Sequence, residues 1–361
     1  MAKLTIRQWP LVLETKGRTI LETALSAGVP YPHGCRTGEC GSCKSTLVSG
    51  KVDLSAYDEA VLSDDERAAG LILACRARPK SSDVHVAWLG EEATVNLPVQ
   101  RLRAQVTNIE PVTENITRIY AWPEHRLRFA AGQYAQVRFG DLPPRCYSMA
   151  NRPDEEALEF HIRLHPDGRA SRHITTQLRV GDVIRIEAPF GQAHLYPEHK
   201  EPIIALAGGS GLAPIKSIVR TALHAGVDRD IHLFFGVRDE QDFYDEAELA
   251  ALAAQHANLH LNFLVSAPVG RTARRKGELA DVLRTDFSDC SQARLYVAGP
   301  PPMVVAAVAA AHQCGFAPDR IHADPFHHGG EVAAKQRFNL GRLAEGLKAV
   351  FAGSSTRGAS E

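Results

Sequence analysis

The chain has 361 residues, 44% apolar and 23% charged, with a formal net charge of −1. These are the proportions of a folded protein of two or three domains, not of a disordered chain. The balanced charge excludes a nucleic-acid footprint, no run is apolar for long enough to span a membrane, and MAKLTIRQW lacks a leader's apolar core. Seven cysteines without a leader point to a reducing compartment, the cytoplasm.

Residues 1–90 read as one compact unit. LTIRQW and LVLE alternate apolar and polar positions around a turn, the pattern of a hairpin. Thr19-Ile20-Leu21-Glu22 is a capping-box start for a helix that stops at Gly28, and Ser63-Asp64-Asp65-Glu66 repeats the signal. Between and after these helices lie Cys35, Cys40, Cys43 and Cys75, spaced C-x4-C-x2-C and then C after thirty-one residues. That is the spacing of a plant-type [2Fe-2S] site. Gly34, Gly38 and Gly41 free the loop backbone to turn its amides toward an anionic cluster. Structural zinc is the alternative, but zinc motifs usually pair cysteines as two C-x2-C knuckles and only one such pair is present. A disulfide framework fits a large chain without a leader less well.

A polar linker is expected over residues 89–100. From 101 to 199 short alternating segments (AQVTNI, TRIYAW, YAQVRF, LEFHIRL, DVIRIEAPF) are separated by turn residues, which predicts an antiparallel barrel or sandwich. From 200 to 326 buried-type strands alternate with helices, which predicts a doubly wound parallel sheet. Its first strand runs into Gly208-Gly209-Ser210-Gly211 and Pro214, where a strand's carboxyl end meets a helix N-terminus and attracts phosphate. A later strand runs into Ala298-Gly299-Pro300-Pro301-Pro302-Met303. The tail 327–361 reads as a helical extension, with apolar residues from Phe338 to Phe351 at near-helical spacing, followed by a disordered Gly/Ser-rich end. The whole is a multidomain α+β, β and α/β chain.

The first segment resembles the plant-type ferredoxin fold, with the four cysteines as its ligands. Arg145-Cys146-Tyr147-Ser148, Gly168-Arg169-Ala170-Ser171 and Pro189-Phe190-Gly191 resemble, in this order, the flavin domain of the ferredoxin–NADP reductase superfamily. The resemblance implies that Arg145 pairs with a flavin phosphate, Tyr147 stacks on the isoalloxazine and Ser148 lies near its N5. It further implies that Gly168, Ala170 and Ser171 offer a turn to the pyrophosphate and that His161, Ile162 and Arg163 lie under the cofactor. For His161, a ring facing solvent is the rival expectation. Gly208, Gly209, Ser210, Gly211, Pro214, Arg238, Gly299, Pro300, Pro301 and Met303 become nucleotide contacts. Many relatives carry Cys before the Gly-Pro pair where this chain has Ala298. Phe326, in Asp324-Pro325-Phe326, resembles the aromatic that shields the flavin. A core role for it stands beside that one.

Across 1 to about 326 the chain resembles the NADH-dependent reductase components of bacterial aromatic-ring-hydroxylating oxygenases. The resemblance implies FAD (FMN in relatives with the ferredoxin at the other end), a [2Fe-2S] cluster and NADH. The acceptor would be an oxygenase component or an intermediary ferredoxin, with no nucleic-acid or membrane partner and a monomeric reductase. NADH is expected over NADPH because Asp239, Glu240 and Asp242 follow Arg238, although Arg238 itself argues the other way. Ser148 and Phe326 are the residues expected to act at the hydride step. The rival readings are a reductase for a non-oxygenase acceptor, such as a deoxysugar dehydratase, and a redox sensor without NADH turnover. The acidic run of Asp53, Asp58, Glu59, Asp64, Asp65 and Glu66 is expected to be solvated surface or a partner-steering patch.

Overall fold

The computed structural model describes residues 2–326, apart from 10, 30, 39, 40, 60, 89–96, 197, 288, 318 and 319. The extension expected over 327–361, Cys40 and most of the linker lie outside the described residues.

The N-terminal region comprises β1 (Lys3–Ile6), β2 (Val12–Glu14), α1 (Ile20–Ser26), β3 (Lys44–Ser49), β4 (Val52–Leu54), α2 (Asp64–Ala68), β5 (Leu71–Leu73), β6 (Ala77–Pro79) and β7 (Asp83–Trp88). Five strands form a mixed sheet in the order β2-β1-β7-β3-β5, and β1 runs parallel to β7. Both expected capping boxes are made. Thr19 and Ser63 each accept from the amide three residues on, and Glu22 and Glu66 reach back to the cap amide. Ile20, Leu21 and Ala24 of α1 pack against Leu4, Ile6, Val84 and Val86 of the sheet.

The middle region comprises β8 (Gln100–Thr113), β9 (Ile116–Pro123), β10 (Tyr134–Arg138), β11 (Arg145–Ser148), β12 (Leu158–Arg163), α3 (Arg169–Thr176) and β13 (Val183–Phe190). The sheet order is β11-β10-β13-β8-β9-β12, antiparallel throughout. A further bridge between Met149 and Phe160 brings the two edges together. The expected barrel is therefore formed. The Gly168–Ser171 segment is not a free turn: Gly168 caps α3, whose first turn carries Arg169, Ala170 and Ser171.

The last region comprises β14 (Ile203–Gly208), α4 (Leu212–His224), β15 (Ile231–Val237), α5 (Glu246–Gln255), β16 (Leu259–Val265), β17 (Arg275–Lys276), α6 (Val282–Thr285), β18 (Arg294–Gly299), α7 (Pro301–Gln313) and β19 (Ile321–Pro325). All six strands are parallel, in the order β17-β16-β15-β14-β18-β19. Along β14 the faces alternate. Ile203, Ala205 and Ala207 point into a core with α4 and α5, while Ile204 and Leu206 point into a second core with α7. The first core also takes Ile116, Ala131 and Leu195 from the barrel, so barrel and nucleotide sheet share buried apolar surface. The reversal of strand order beside β14 and β18 opens the crevice where ligands bind in such sheets.

Candidate functional site

The cysteine loop leads from α1 to β3. Cys43 and Cys75 are buried and Cys35 is half-buried. Thr37 N–H donates to Cys35 Sγ and Cys75 N–H to Cys43 Sγ, each at 3.4 Å. A hydrogen bond from Cys75 pulls the Cys43 thiol below its ordinary pKa, against the opposing effect of burial. Sulfurs that already accept amide hydrogen bonds fit an anionic iron–sulfur cluster. Gly38 sits at φ +88°, and a Cβ there would come 2.8 Å from the Cβ of Tyr57. Of the acidic run, Glu66 is held by Lys44 at 2.7 Å, Asp64 approaches Arg67 at 3.5 Å and Asp53 approaches Lys80 at 3.9 Å. Glu66 is thus spent within the domain, while Asp53 and Asp64 stay largely exposed.

On the barrel, the short strand β11 pairs with β10, setting Ser148 opposite Tyr134. Tyr147 packs edge-on to Phe139. Arg145 is half-buried beside it, and its Nη1 donates to its neighbour Pro144 O. Ser148 Oγ donates to Asp324 Oδ2 at 3.3 Å. Burial pushes the Asp324 carboxyl up to about 6, with the Ser148 hydrogen bond opposing it. Asp324 was not singled out from sequence, since an Asp within IHADP carries no local signal. At α3, Ser171 Oγ accepts from His165 N–H at 2.8 Å, which shapes the loop and leaves the first-turn amides of the helix unspent by that hydroxyl.

The two glycine loops interlock. A Cβ on Gly211 would come 2.1 Å from Ala298 O, and one on Gly299 would come 2.7 Å from Gly208 O. A Cβ on Gly208 would meet Met303 Cε at 2.9 Å and Pro300 Cδ at 3.1 Å. Only glycine lets these backbones approach so closely, and the approach lays the β14 and β18 loops side by side at the carboxyl ends of their strands. Pro214 is buried in the first turn of α4. Phe326 N–H donates to Gly299 O at 2.9 Å, so Phe326 stands beside the same turn, partly buried against the core shared with the barrel. Arg238 is exposed at the end of β15, and Asp239 caps the next turn by accepting from Glu240 N–H.

His161 does not face solvent. It is buried, its Nε2 lies 2.8 Å from Glu159 Oε1 and its Nδ1 3.0 Å from Tyr244 Oη. Tyr244 in turn donates to Gly209 O at 3.4 Å, so a flavin-barrel strand is linked to the nucleotide loop. The reason is a charge cluster that sequence reading missed. Lys216 Nζ, fully buried, contacts Glu159 at 3.1 Å, Asp245 at 2.7 Å and Glu248 at 2.8 Å, and Arg118 meets Asp245 at 2.8 Å. Glu159, His161 and Asp245 stand close enough to hold a metal ion, but the Lys216 ammonium reaches both carboxylates. Arg163 comes from the next position but one on β12, and a methyl at Gly209 would meet its Nη1 at 3.3 Å. A cavity of about 460 Å³ opens beside Trp122, Lys216 and Glu248 and is lined by none of the expected site residues. A crevice of about 20 Å³ lies where Ser42, Tyr134, Gly191 and Asp324 meet; none of these was an expected site residue, but Tyr134 is the strand partner of Ser148 and Asp324 accepts from its hydroxyl.

A cysteine loop on a mixed sheet, a flavin-type barrel and interlocked glycine loops on a parallel sheet define a ferredoxin–flavin–nucleotide oxidoreductase. Comparison with known proteins agrees along the chain. Residues 8–80 match the 2Fe-2S iron-sulfur cluster binding domain, 103–195 the oxidoreductase FAD-binding domain and 205–309 the oxidoreductase NAD-binding domain. The chain is 36% identical over 314 residues, 87% of its length and 95% of the relative's, to the reductase component of the naphthalene 1,2-dioxygenase/salicylate 5-hydroxylase systems of Ralstonia sp. It is 35% identical to the aromatic O-demethylase reductase subunit of an Amycolatopsis species, over 86% of this chain and 94% of that one. Among solved structures it resembles the Amycolatopsis cytochrome P450 reductase GcoB, with TM-score 0.76 and 33% identity, covering 90% of this chain and 99% of that one. It also resembles the ferredoxin reductase in carbazole 1,9a-dioxygenase, with TM-score 0.67 and 26% identity, covering 90% and 98%. The chain belongs to the family of flavin- and [2Fe-2S]-dependent ferredoxin–NAD(P)+ reductase components of oxygenase systems. Its cofactors are a [2Fe-2S] cluster, FAD and a nicotinamide nucleotide. Among the described residues no helix is long and apolar enough to cross a membrane.

Proposed function

We propose that this chain is the NADH-dependent reductase of an aromatic-ring-hydroxylating oxygenase system, working as a monomer in the cytoplasm. The observation that carries the reading is a convergence at one crevice. Ser42 of the cysteine loop, Tyr134 of the flavin barrel and Asp324 of the nucleotide sheet line it together. When bound, FAD takes two electrons from NADH as a hydride and passes them singly to a [2Fe-2S] cluster, which accepts one at a time.

The residues have separate tasks. Cys35, Cys40, Cys43 and Cys75 would hold the cluster, with the Thr37 and Cys75 amides already turned to two of the sulfurs. Arg145, Tyr147, Ser148 and the segments His161–Arg163 and Gly168–Ser171 would hold FAD. The interlocked loops at Gly208–Gly211 and Gly299–Met303 would take the nucleotide, with Pro214 and Arg238 at its margins. Ser148 orients by donating to Asp324, whose raised affinity for a proton lets it hold one beside the flavin site near pH 6. Hydride transfer itself needs alignment at about 3–3.5 Å and exclusion of water, not a proton-transferring base. Phe326, whose amide donates to Gly299, would guard that alignment.

The acceptor reading rests on relatives named as reductases of dioxygenase, monooxygenase and O-demethylase systems. It is tested by iron, acid-labile sulfide and flavin analysis, followed by NADH oxidation with ferricyanide and with cytochrome c. The last step is naphthalene turnover with an added Rieske oxygenase component. Equal iron and sulfide, one FAD and NADH-driven cytochrome c reduction are expected. Stoichiometric zinc without sulfide, or flavin that NADH does not reduce, sinks the reading.

A further inference from the structure

The ferredoxin domain touches the flavin barrel through an aromatic side chain that the functional reading leaves without a task. Phe190 ends β13 and is 2% exposed. The His33 ring meets it edge-on with centroids 6.0 Å apart, and the Arg36 guanidinium lies over its face at 5.3 Å. Both partners belong to the cysteine loop and flank Cys35. On its other side Phe190 packs against Tyr134 at 5.8 Å, and Tyr134 is the strand partner of Ser148.

The loop is built to present this pair of side chains. His33 Nδ1 lies 2.8 Å from Tyr31 O and its Nε2 lies 3.4 Å from Arg36 Nη2. A ring protonated on Nδ1 donates to the carbonyl and accepts from the guanidinium, so both contacts are satisfied by one tautomer. Arg36 adopts φ +64°, a left-handed conformation that non-glycine residues seldom occupy. A strained backbone that aims a guanidinium at an aromatic face across a domain boundary is the kind of local cost kept for a functional contact. Edge-on aromatic packing and cation–π attraction both prefer a defined geometry, so they fix an orientation as well as a contact.

We propose that Phe190, clasped by His33 and Arg36, is the positioning residue that keeps the cysteine loop docked on the flavin barrel for electron transfer from flavin to cluster. This rests on the reductase reading above. Each transfer oxidises the flavin by one electron and reduces the cluster by one. The hydride's two electrons therefore support two transfers, with the cluster discharged to the acceptor between them.

The test uses the full chain loaded with FAD and cluster, as Phe190→Leu and as Arg36→Ala. In anaerobic stopped-flow with NADH, flavin bleaching should stay within twofold of wild type in both. Cluster reduction should slow at least tenfold in Phe190→Leu and at least threefold in Arg36→Ala. Deuterium exchange is read on the opposite domain: faster uptake over residues 31–38 in Phe190→Leu, and over 186–195 in Arg36→Ala. Damage confined to the mutated domain would not move it. Should Phe190→Leu fail to retain FAD, the exposed Arg36→Ala decides alone. Cluster reduction within twofold of wild type, or slowing with unchanged exchange on the opposite domain, overturns the proposal. Wild-type protein whose flavin bleaches without any cluster reduction would instead overturn the reductase reading.

Discussion

Ser148 and Asp324 stand 176 residues apart in sequence, yet their side chains meet at 3.3 Å between the flavin barrel and the last strand of the nucleotide sheet. The hydroxyl donates to a carboxylate that burial holds at about 6, well above the ordinary 3.8. A group with that affinity changes charge within the working range of the enzyme.

The rate of flavin reduction by NADH in wild type should therefore inflect near pH 6, and Asp324→Asn should abolish the inflection. Stability gives an independent reading. With its folded pKa raised, Asp324 binds more protons in the native state than unfolded between pH 4 and 6, so its contribution falls as pH rises through that window. In protein stripped of flavin, Asp324→Asn should raise Tm at pH 8, where wild type holds a half-buried carboxylate ionised. It should leave Tm unchanged at pH 4. A Tm difference equal at both pH values would assign the effect to packing.

Arg145 is expected to anchor FAD. Replacing it with Ala removes charge-assisted hydrogen bonds worth about 1.5–3 kcal/mol, so FAD should bind about 10- to 100-fold more weakly. Iron and sulfide should be unchanged, because Cys43 and Cys75 belong to a separate core. Chromatography of the flavin released from wild type should show FAD, and FMN there would refute the adenine half of the assignment.

The cluster around Lys216 makes a prediction about stability. Lys216→Met leaves Glu159 and Asp245 buried with one cation fewer, which should cost about 3–5 kcal/mol. Burial pushes Glu159 up, but His161 and Lys216 outweigh it and hold the carboxyl at about 2. A folded pKa below the unfolded 4.5 gives stability that is present above pH 4.5 and lost as pH falls toward 2. Glu159→Gln should flatten the acid limb of the Tm-against-pH curve in that window, and an unaltered limb would refute the assignment.

How far the site was legible depended on where each signal was stored. Thr19–Glu22 and Ser63–Glu66 are local, three-residue relations, and both capping boxes form as read. The glycine loops were legible as strand–helix junctions, but not their interlock, which depends on β14 and β18 being neighbours with eighty-odd residues between them. Gly168–Ser171 read as a turn because its glycine and serine are turn formers, while Ile174, buried in the barrel core, anchors the helix whose first turn they make. Asp324, Tyr244 and Lys216 were invisible for one reason: each takes its chemistry from a partner on another domain.

Nucleotide choice is expected to turn on Arg238, exposed just after β15. The nearby cations Arg274 and Arg275 are engaged by Glu246 and Asp286, and Arg274 also lies over the rings of Phe243 and Phe263. Asp239 is spent as a cap, with Glu240 N–H and Val269 N–H donating to it. NADH should have the higher kcat/KM in wild type. Arg238→Ala should lower kcat/KM for NADPH about tenfold and leave NADH within twofold, since only the phosphorylated ribose calls for the cation. Equal losses with both nucleotides would place Arg238 on the shared part of the ligand.

Phe326 offers the sharpest contrast between two roles. Its amide is fixed to Gly299, but its ring is only partly buried against the core that the barrel and nucleotide sheet share. A ring that guards the flavin must yield to nicotinamide, so Phe326→Ala should change the affinity for NADH or the rate of flavin reduction at little cost in Tm. A ring that only completes the core would cost about 3–5 kcal/mol when truncated. The half-burial favours the first outcome, because a ring already open on one side loses fewer contacts on removal. Stopped-flow flavin reduction and thermal melting of the same preparation separate the two. A large fall in Tm with wild-type kinetics in the folded fraction would leave Phe326 a packing residue and no more.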